Sequence, residues 1–334
     1  MTIPSMSAGA YRSQHALQGR MNLATELHAT RSLGAGRRRA LNQLAQGLSY
    51  VALSLALAPL GAIIYLLVAN GSTRLFADFP YFLQVTMQNV HGGMIAGGIV
   101  HALTGTALIT LGAAAISVPI GILTAIYLVE YGSDNALTRA VRVVVDVMSG
   151  LPSIVAGLFA AAVFSYTVGP AYRAGLMGAV ALSLLMLPVV VRTSEEMLRL
   201  VPADLREAAL ALGVPRYLVI IKVVLRTAAP GLVTGVMLAV ARVIGETAPL
   251  LMTVGVIDSL NTNIFNGRMM TLPVYIYRQF TAGLAPCSPQ QTDCLATINY
   301  DRAWAAALVL LILVMIFNLS ARFIAARLAP KNRR

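Results

Sequence analysis

Residues 201–215 read VPADLREAALALGVP. Pro202 suits the first turn of a helix, where a missing N–H leaves no bond unmade. Leu205, Ala208, Ala209 and Leu212 then recur at helical spacing as an apolar stripe. Gly213 can take the left-handed conformation that ends a helix. Pro215 prevents simple continuation, so a second helix is expected to start near Arg216. The stretch therefore predicts a helix–turn–helix elbow. Its paired alanines leave room for another surface, and Arg206 and Glu207 stand beside the stripe.

The elbow lies in a segment, 192–229, that is too polar to cross a membrane and too patterned to be disordered. Around it the chain is apolar. Hydrophobic residues make up 57% of the 334 and charged residues only 11%. Soluble domains carry about 25% charged residues, so lipid is the expected solvent. Net charge is +12, but the basic residues are scattered between apolar runs instead of forming the patch that nucleic acid requires.

Six runs are candidate spans: 48–69, 97–130, 151–168, 174–191, 231–256 and 303–324. A span needs about 20 apolar residues. The second run is longer than one perpendicular crossing, and Pro119 inside it suggests a kink. Lysine and arginine concentrate on the cytoplasmic side of membrane proteins. With the N-terminus inside, 19 of the 25 basic residues are cytoplasmic and five external: Arg74, Arg173, Arg268, Arg278 and Arg302. Only Arg242 falls within a span. Both termini are thus expected inside, as are the elbow and the basic tails at 1–46 and 326–334. The first apolar run, within 47–70, exceeds the 7–15 residues of a cleavable signal's apolar core and reads as an uncleaved anchor.

The two cysteines, Cys287 and Cys294, fall in the expected external segment 257–302. A disulfide fits an oxidising compartment; free thiols are the alternative. No self-contained enzyme is visible. A nucleotide-binding P-loop needs Gly-Lys followed by Ser or Thr, but Lys222 stands between Ile and Val, and Lys331 between Pro and Asn. The histidines at 15, 28, 91 and 101 form no metal-ligand pattern.

Residues 239–252, AVARVIGETAPLLM, place two charges in the fifth run. On one continuous helix, Arg242 and Glu246 would stand one above the other near its midpoint. An isolated charge at the bilayer centre is unfavourable by about 2.5–3.5 kcal/mol on insertion scales. Arg preceding an acid by four is also the weaker order for a helix pair. Either the two line an aqueous route, or they form a fixed ion pair between subunits.

Glu207-Ala208-Ala209 with Gly213 four residues on resembles the EAA loop of ABC-importer permeases, here 192–229. GGIVHALTGT (97–106), VPIGILTAIYLVEYG (118–132), SGLPSIVAGLF (149–159), LPVVVRTSEEML (187–198) and ARVIGETAPLL (241–251) resemble, in that order, the PstA family of phosphate permeases. The tail and the cysteine loop carry no resemblance. It implies an all-α integral membrane protein with six transmembrane helices and the type I importer permease (MetI-like) fold. Its core would cover 95–325, with a cytoplasmic coupling helix. Glu207, Ala208, Ala209 and Gly213 would couple to an ATPase, and Arg242, Glu246 and Thr247 would form the pathway or gate. No cofactor is expected in this chain, with ATP and Mg in the partner ATPase. The implied partners are a PstC-like permease, two copies of a PstB-like P-loop ATPase, a PstS-like phosphate-binding protein and membrane lipid. Rival readings are a permease for another oxyanion, an ion-gradient-driven transporter with Glu246 as proton carrier, and a membrane scaffold. A secondary transporter would favour internal repeats, of which none is evident, and would leave the elbow unexplained.

Overall fold

The structure, a computed structural model, describes residues 8–132, 135–287 and 294–328, with side chains from residue 36 onward. The interior of the cysteine loop (288–293), the first seven residues of the basic N-terminal tail and 329–334 of the C-terminal tail lie outside the described residues. Among those described the fold is all helix, with one isolated β-bridge between Met94 and Cys294.

Helix α1 covers Ala8–Ala77. The sequence reading separated a polar tail, 1–46, from a span. The helix instead runs through that boundary, because 8–47 is rich in Ala, Leu, Arg and Gln, all strong helix formers. The chain divides into two compact units, 1–65 and 66–334. In the first, the apolar side chains from Leu48 to Tyr65 are exposed.

The second unit holds the remaining elements. After α2 (Tyr81–Gln84) comes α3 (Val100–Ile126), which widens into a π-helical turn at Tyr127–Tyr131. Then come α4 (Ala136–Ser149), α5 (Ser153–Thr167), α6 (Gly175–Arg199), α7 (Ala203–Ala211) and α8 (Arg216–Val219). A second π turn, Ile220–Val224, joins α8 to α9 (Leu225–Ile244). The chain ends through α10 (Ala248–Thr253), α11 (Leu272–Ala282) and α12 (Ile298–Leu328).

Small residues set how these helices pack. A Cβ built on Gly112 would lie 3.0 Å from Ala179 Cβ, and one on Gly121 would lie 2.7 Å from a Val190 methyl. Both indices rise together, so α3 and α6 run parallel at close approach. A Cβ on Gly235 would meet the Thr193 hydroxyl at 2.7 Å, and Gly231 faces Met197, so α6 and α9 run antiparallel. Helices that run parallel require the chain to return between them. The returning piece is α5, which meets amphipathic α4 at a 108° bend. Its 15 residues reach about 22 Å, short of the roughly 30 Å hydrocarbon core. Five helices of the described residues are individually long and apolar enough to cross, and the bent α4–α5 pair brings the number to six when it is counted as one broken span. The sequence placed its third candidate span at 151–168, and α5 occupies 153–167 of it, with Pro152 at the bend from α4.

The fifth span is also corrected. The sequence took 231–256 as one helix, but α9 stops at Ile244, residues 245–247 are non-helical, and α10 is a separate turn and a half. Pro249, lacking an N–H, stands at the start of the new helix. α10 packs against α5 and α6.

One end of the second unit is tied by buried polar contacts. Arg302 is 1% exposed and donates to the carbonyls of Met94 and Ala96, at 2.6 Å each. Arg74 donates to the Ile95 carbonyl at 2.9 Å and pairs with Asp78 at 2.6 Å. The Thr106 hydroxyl accepts from the Leu272 N–H at 2.8 Å, satisfying an orphan donor in the first turn of α11. Cys287 and Cys294 form a disulfide, Cα to Cα 5.7 Å, seated on Gly93, where any Cβ would strike both sulfurs.

Candidate functional site

At the opposite end from the disulfide, α7 and α8 form the expected elbow. Pro202 precedes α7, Gly213 has φ +76°, and α8 begins at Arg216. That φ lies where a side chain on Cβ is strained, which is why glycine stands at this position. No α7 residue is buried. Of the four stripe residues, Ala209 packs inward with Val214 against Leu198, Val201, Val219 and Val224. Leu205, Ala208 and Leu212 are exposed, as is Leu210. The stripe was read as one face; in the structure most of it points away from the chain's own core. Glu207 is exposed, and among the described residues its side chain has no hydrogen bond or ion pair.

What holds this exposed helix is Arg206. Its Nε donates to Glu130 Oε1 at 3.0 Å, and its Nη2 reaches the same oxygen at 2.9 Å. Nη1 donates to the Val201 carbonyl at 2.6 Å and Nη2 to the Leu198 carbonyl at 2.8 Å. Arg216 of α8 donates to the backbone carbonyl of the same Glu130, and its guanidinium lies 5.1 Å from the Tyr131 ring centroid. Glu130 sits in the π turn ending α3 and is almost fully buried. The sequence reading did not single it out. It ends an apolar run, and its partner is 76 residues away.

The second group lies at the α9–α10 break. Arg242 is in the last turn of α9 and Glu246 in the break itself, with its N–H donating to the Val243 carbonyl at 3.2 Å. The expected stacking of the two on one helix face does not occur, because the helix ends between them. Arg242 is exposed, and Glu246 and Thr247 are half-buried. Among the described residues neither charged side chain has an ion-pair or hydrogen-bond partner. A shallow groove of about 470 Å³ between α10 and α11 adjoins the break, lined by Thr247, Leu251, Ile276 and Tyr277. No group of three metal-ligating side chains occurs among the described residues.

Residues 117–334 match the family described as binding-protein-dependent transport system inner membrane component. The chain belongs to this family. It is therefore a multi-pass transmembrane subunit and not an enzyme. The matched stretch takes in both groups, the elbow and the break. Among curated proteins, the chain is 42% identical over 294 residues to the phosphate transport system permease protein PstA 1 of Mycobacterium tuberculosis strain H37Rv, covering 87% of this chain and 90% of that one. It is 38% identical to PstA of Pasteurella multocida, covering 85% and 94%. Among solved structures, the chain aligns with a bacterial alginate importer at TM-score 0.58, covering 87% of this chain and 96% of that one at 13% identity. It aligns with the MetNI methionine ABC transporter at 0.50, covering 70% and 95% at 20% identity. At those identities the likeness is one of fold: this family member has the importer-permease architecture.

Burial also recasts two residues that the sequence reading used only as orientation signals. Arg74 and Arg302 were counted as external loop charges. Both are buried, and each donates through Nη2 to backbone carbonyls of the segment preceding α3. The signal for that was faint: each sits next to an apolar run, and only tertiary contact reveals the carbonyls it serves.

Proposed function

We propose that this chain is one permease half of an ATP-driven importer of inorganic phosphate. The carrying observation is α7: a short, glycine-ended helix that presents Glu207 and exposed leucines outward while the rest of the chain braces it from behind. A helix in that posture suits a groove on another protein. Phosphate as the transported ion is supported by the names of similar curated proteins, the PstA 1 and PstA phosphate transport system permeases of Mycobacterium tuberculosis and Pasteurella multocida.

The partners of this reading are a second, PstC-like permease, two copies of a PstB-like ATPase carrying ATP and Mg, and a PstS-like external binding protein. The elbow end and both termini face the cytoplasm, in keeping with the distribution of 19 of the 25 basic residues. The disulfide lies at the other end, where an oxidising exterior would preserve it.

The mechanism then follows from the two groups. A loaded binding protein docks on the disulfide end, ATP closes the ATPase pair, and α7 moves with its groove. The permease halves open outward, accept the anion and return inward after hydrolysis. Among the described residues Arg242 and Glu246 lack partners, and they are charges available to the path between the halves. A fixed cation alone would hold phosphate too firmly, whereas a cation with a carboxylate close by offers a shallow stop that an ion can leave. The break at 245–247 frees backbone groups that a continuous helix would tie up, a feature tolerated in membranes where it lines a cavity or is buried in protein.

Reconstitution of the four components in vesicles tests the reading. Phosphate uptake that needs ATP and the loaded binding protein is the expected result. Uptake driven by a proton gradient without ATP would replace it with a secondary transporter.

A further inference from the structure

Glu130 is a buried carboxylate that the transport path does not use, at the junction of three elements. Its side chain holds α7 through Arg206, and its backbone carbonyl holds α8 through Arg216. It also sits within a π turn, and a second π turn follows α8 directly. Such turns break the regular i→i+4 ladder and are frequent at functional sites. Within the first, the Gly132 N–H reaches back five residues to the Tyr127 carbonyl at 2.6 Å. The two interrupted helices, α3 and the α8–α9 segment, are those on which the elbow rests, and α7 packs on α8 and the second π turn.

A passive brace for an exposed helix would need only apolar packing, which Ala209 and Val214 already supply. The ion pair adds direction. Arg206 donates to a carboxylate, to the Leu198 carbonyl in the last turn of α6 and to the Val201 carbonyl just beyond it, so one guanidinium fastens α7 to both α3 and α6. These are the two helices that run parallel through the centre of the second unit in close glycine contact. A push on α7 therefore reaches both through charge-assisted bonds, which are shorter and stronger than neutral ones.

We infer that Glu130 is a positioning residue for energy coupling: its hold on Arg206 and Arg216 makes α7, α8 and the end of α3 one rigid lever, so that movement imposed on the elbow is delivered to α3 and α6. This rests on the elbow being the ATPase contact. Glu130 touches neither phosphate nor nucleotide.

The test uses the full complex with its ATPase and binding protein. Glu130→Gln keeps the shape but removes the charge. The expected result is an assembled complex with unchanged basal ATP hydrolysis. Uptake, and the stimulation of hydrolysis by phosphate-loaded binding protein, should fall by at least about tenfold, the scale of loss expected when a positioning contact slackens. Glu130→Asp, which restores the charge on a shorter stem, should recover part of both. Uptake and stimulation equal to the unsubstituted complex would overturn the inference while leaving the importer reading intact. An unsubstituted complex that shows no ATP-dependent uptake would instead remove the reading beneath it.

If Glu130→Gln does not assemble, a spin-label pair on Leu123→Cys and Ala203→Cys, the latter at the start of α7 and outside its exposed leucines, decides the matter in the otherwise native complex. A rigid lever keeps the α3–α7 distance the same with and without ATP. A change of several ångströms would show the elbow sliding past α3 and would overturn the inference.

Discussion

Gly157 of α5 and Pro249 of α10 meet backbone to backbone: a Cβ placed on Gly157 would lie 2.6 Å from Pro249 Cα and 2.9 Å from its carbonyl oxygen. The two residues are far apart in the chain, yet their contact seats the half-helix that follows the break. α10 packs along α5 and against α6, and at this glycine the backbones of α5 and α10 come close. Gly157→Val forces these backbones apart and is expected to destabilise the chain by about 1–3 kcal/mol, the usual range for overpacking. Thermal unfolding of the purified complex reads the loss. Uptake should fall with it, since Thr247 and Glu246 lie within three residues of Pro249.

Removing charge at the break should act differently. Glu246 and Arg242 have no partner among the described residues, so Glu246→Gln should change the stability of the isolated chain by no more than about 0.5 kcal/mol. Phosphate uptake is expected to be abolished with the complex still assembled. Size-exclusion chromatography together with vesicle uptake checks this. Loss of the complex would show that the pair serves assembly.

Gly213 isolates backbone strain from crowding. No atom lies within 4 Å of a Cβ built there, but its φ is +76°. Gly213→Val should therefore introduce strain of about 1–2 kcal/mol without any clash, tilting α7 against α8. Gly213→Asn, which tolerates that conformation, should stay near native. Pull-down of the ATPase through the tagged permease, with uptake alongside, distinguishes the two variants. Equal behaviour of Val and Asn would exclude a role for the turn.

The disulfide is expected to matter locally. It closes a loop with a sequence separation of seven, for which the chain-entropy account gives about 2–3 kcal/mol. Cys294→Ser should loosen the ladder in which the Leu295 N–H donates to the Gly93 carbonyl at 2.8 Å. Limited proteolysis should become faster at 285–296, while the ATPase continues to co-purify. Loss of the ATPase would mean that this end communicates with the elbow.

Much of this architecture was legible from local sequence. Apolar runs mark spans because lipid cannot satisfy an exposed backbone. The elbow was readable because proline and glycine act on the residues beside them: Pro202, Gly213 and Pro215 mark where α7 begins, stops and gives way to α8 without help from tertiary contacts. Family kinship was carried in the same local way, by short motifs whose order survives along the chain.

The break between Arg242 and Glu246 was not legible. An apolar run has the same composition whether its helix continues or stops, and here Pro249 and the contact with Gly157 decide. The paired alanines of the α7 stripe left room for another surface, but periodicity did not show that Ala209 is the stripe residue that turns inward. Glu130 was hidden for the most general reason. A one-dimensional pattern shows that a charge sits at the end of a span, but its value depends on which distant cation the fold brings to it. Local chemistry thus determined the spans, the elbow and the family. Pro249 together with its packing on Gly157 decided where α9 stops, and long-range packing alone decided that one buried carboxylate joins the elbow to α3.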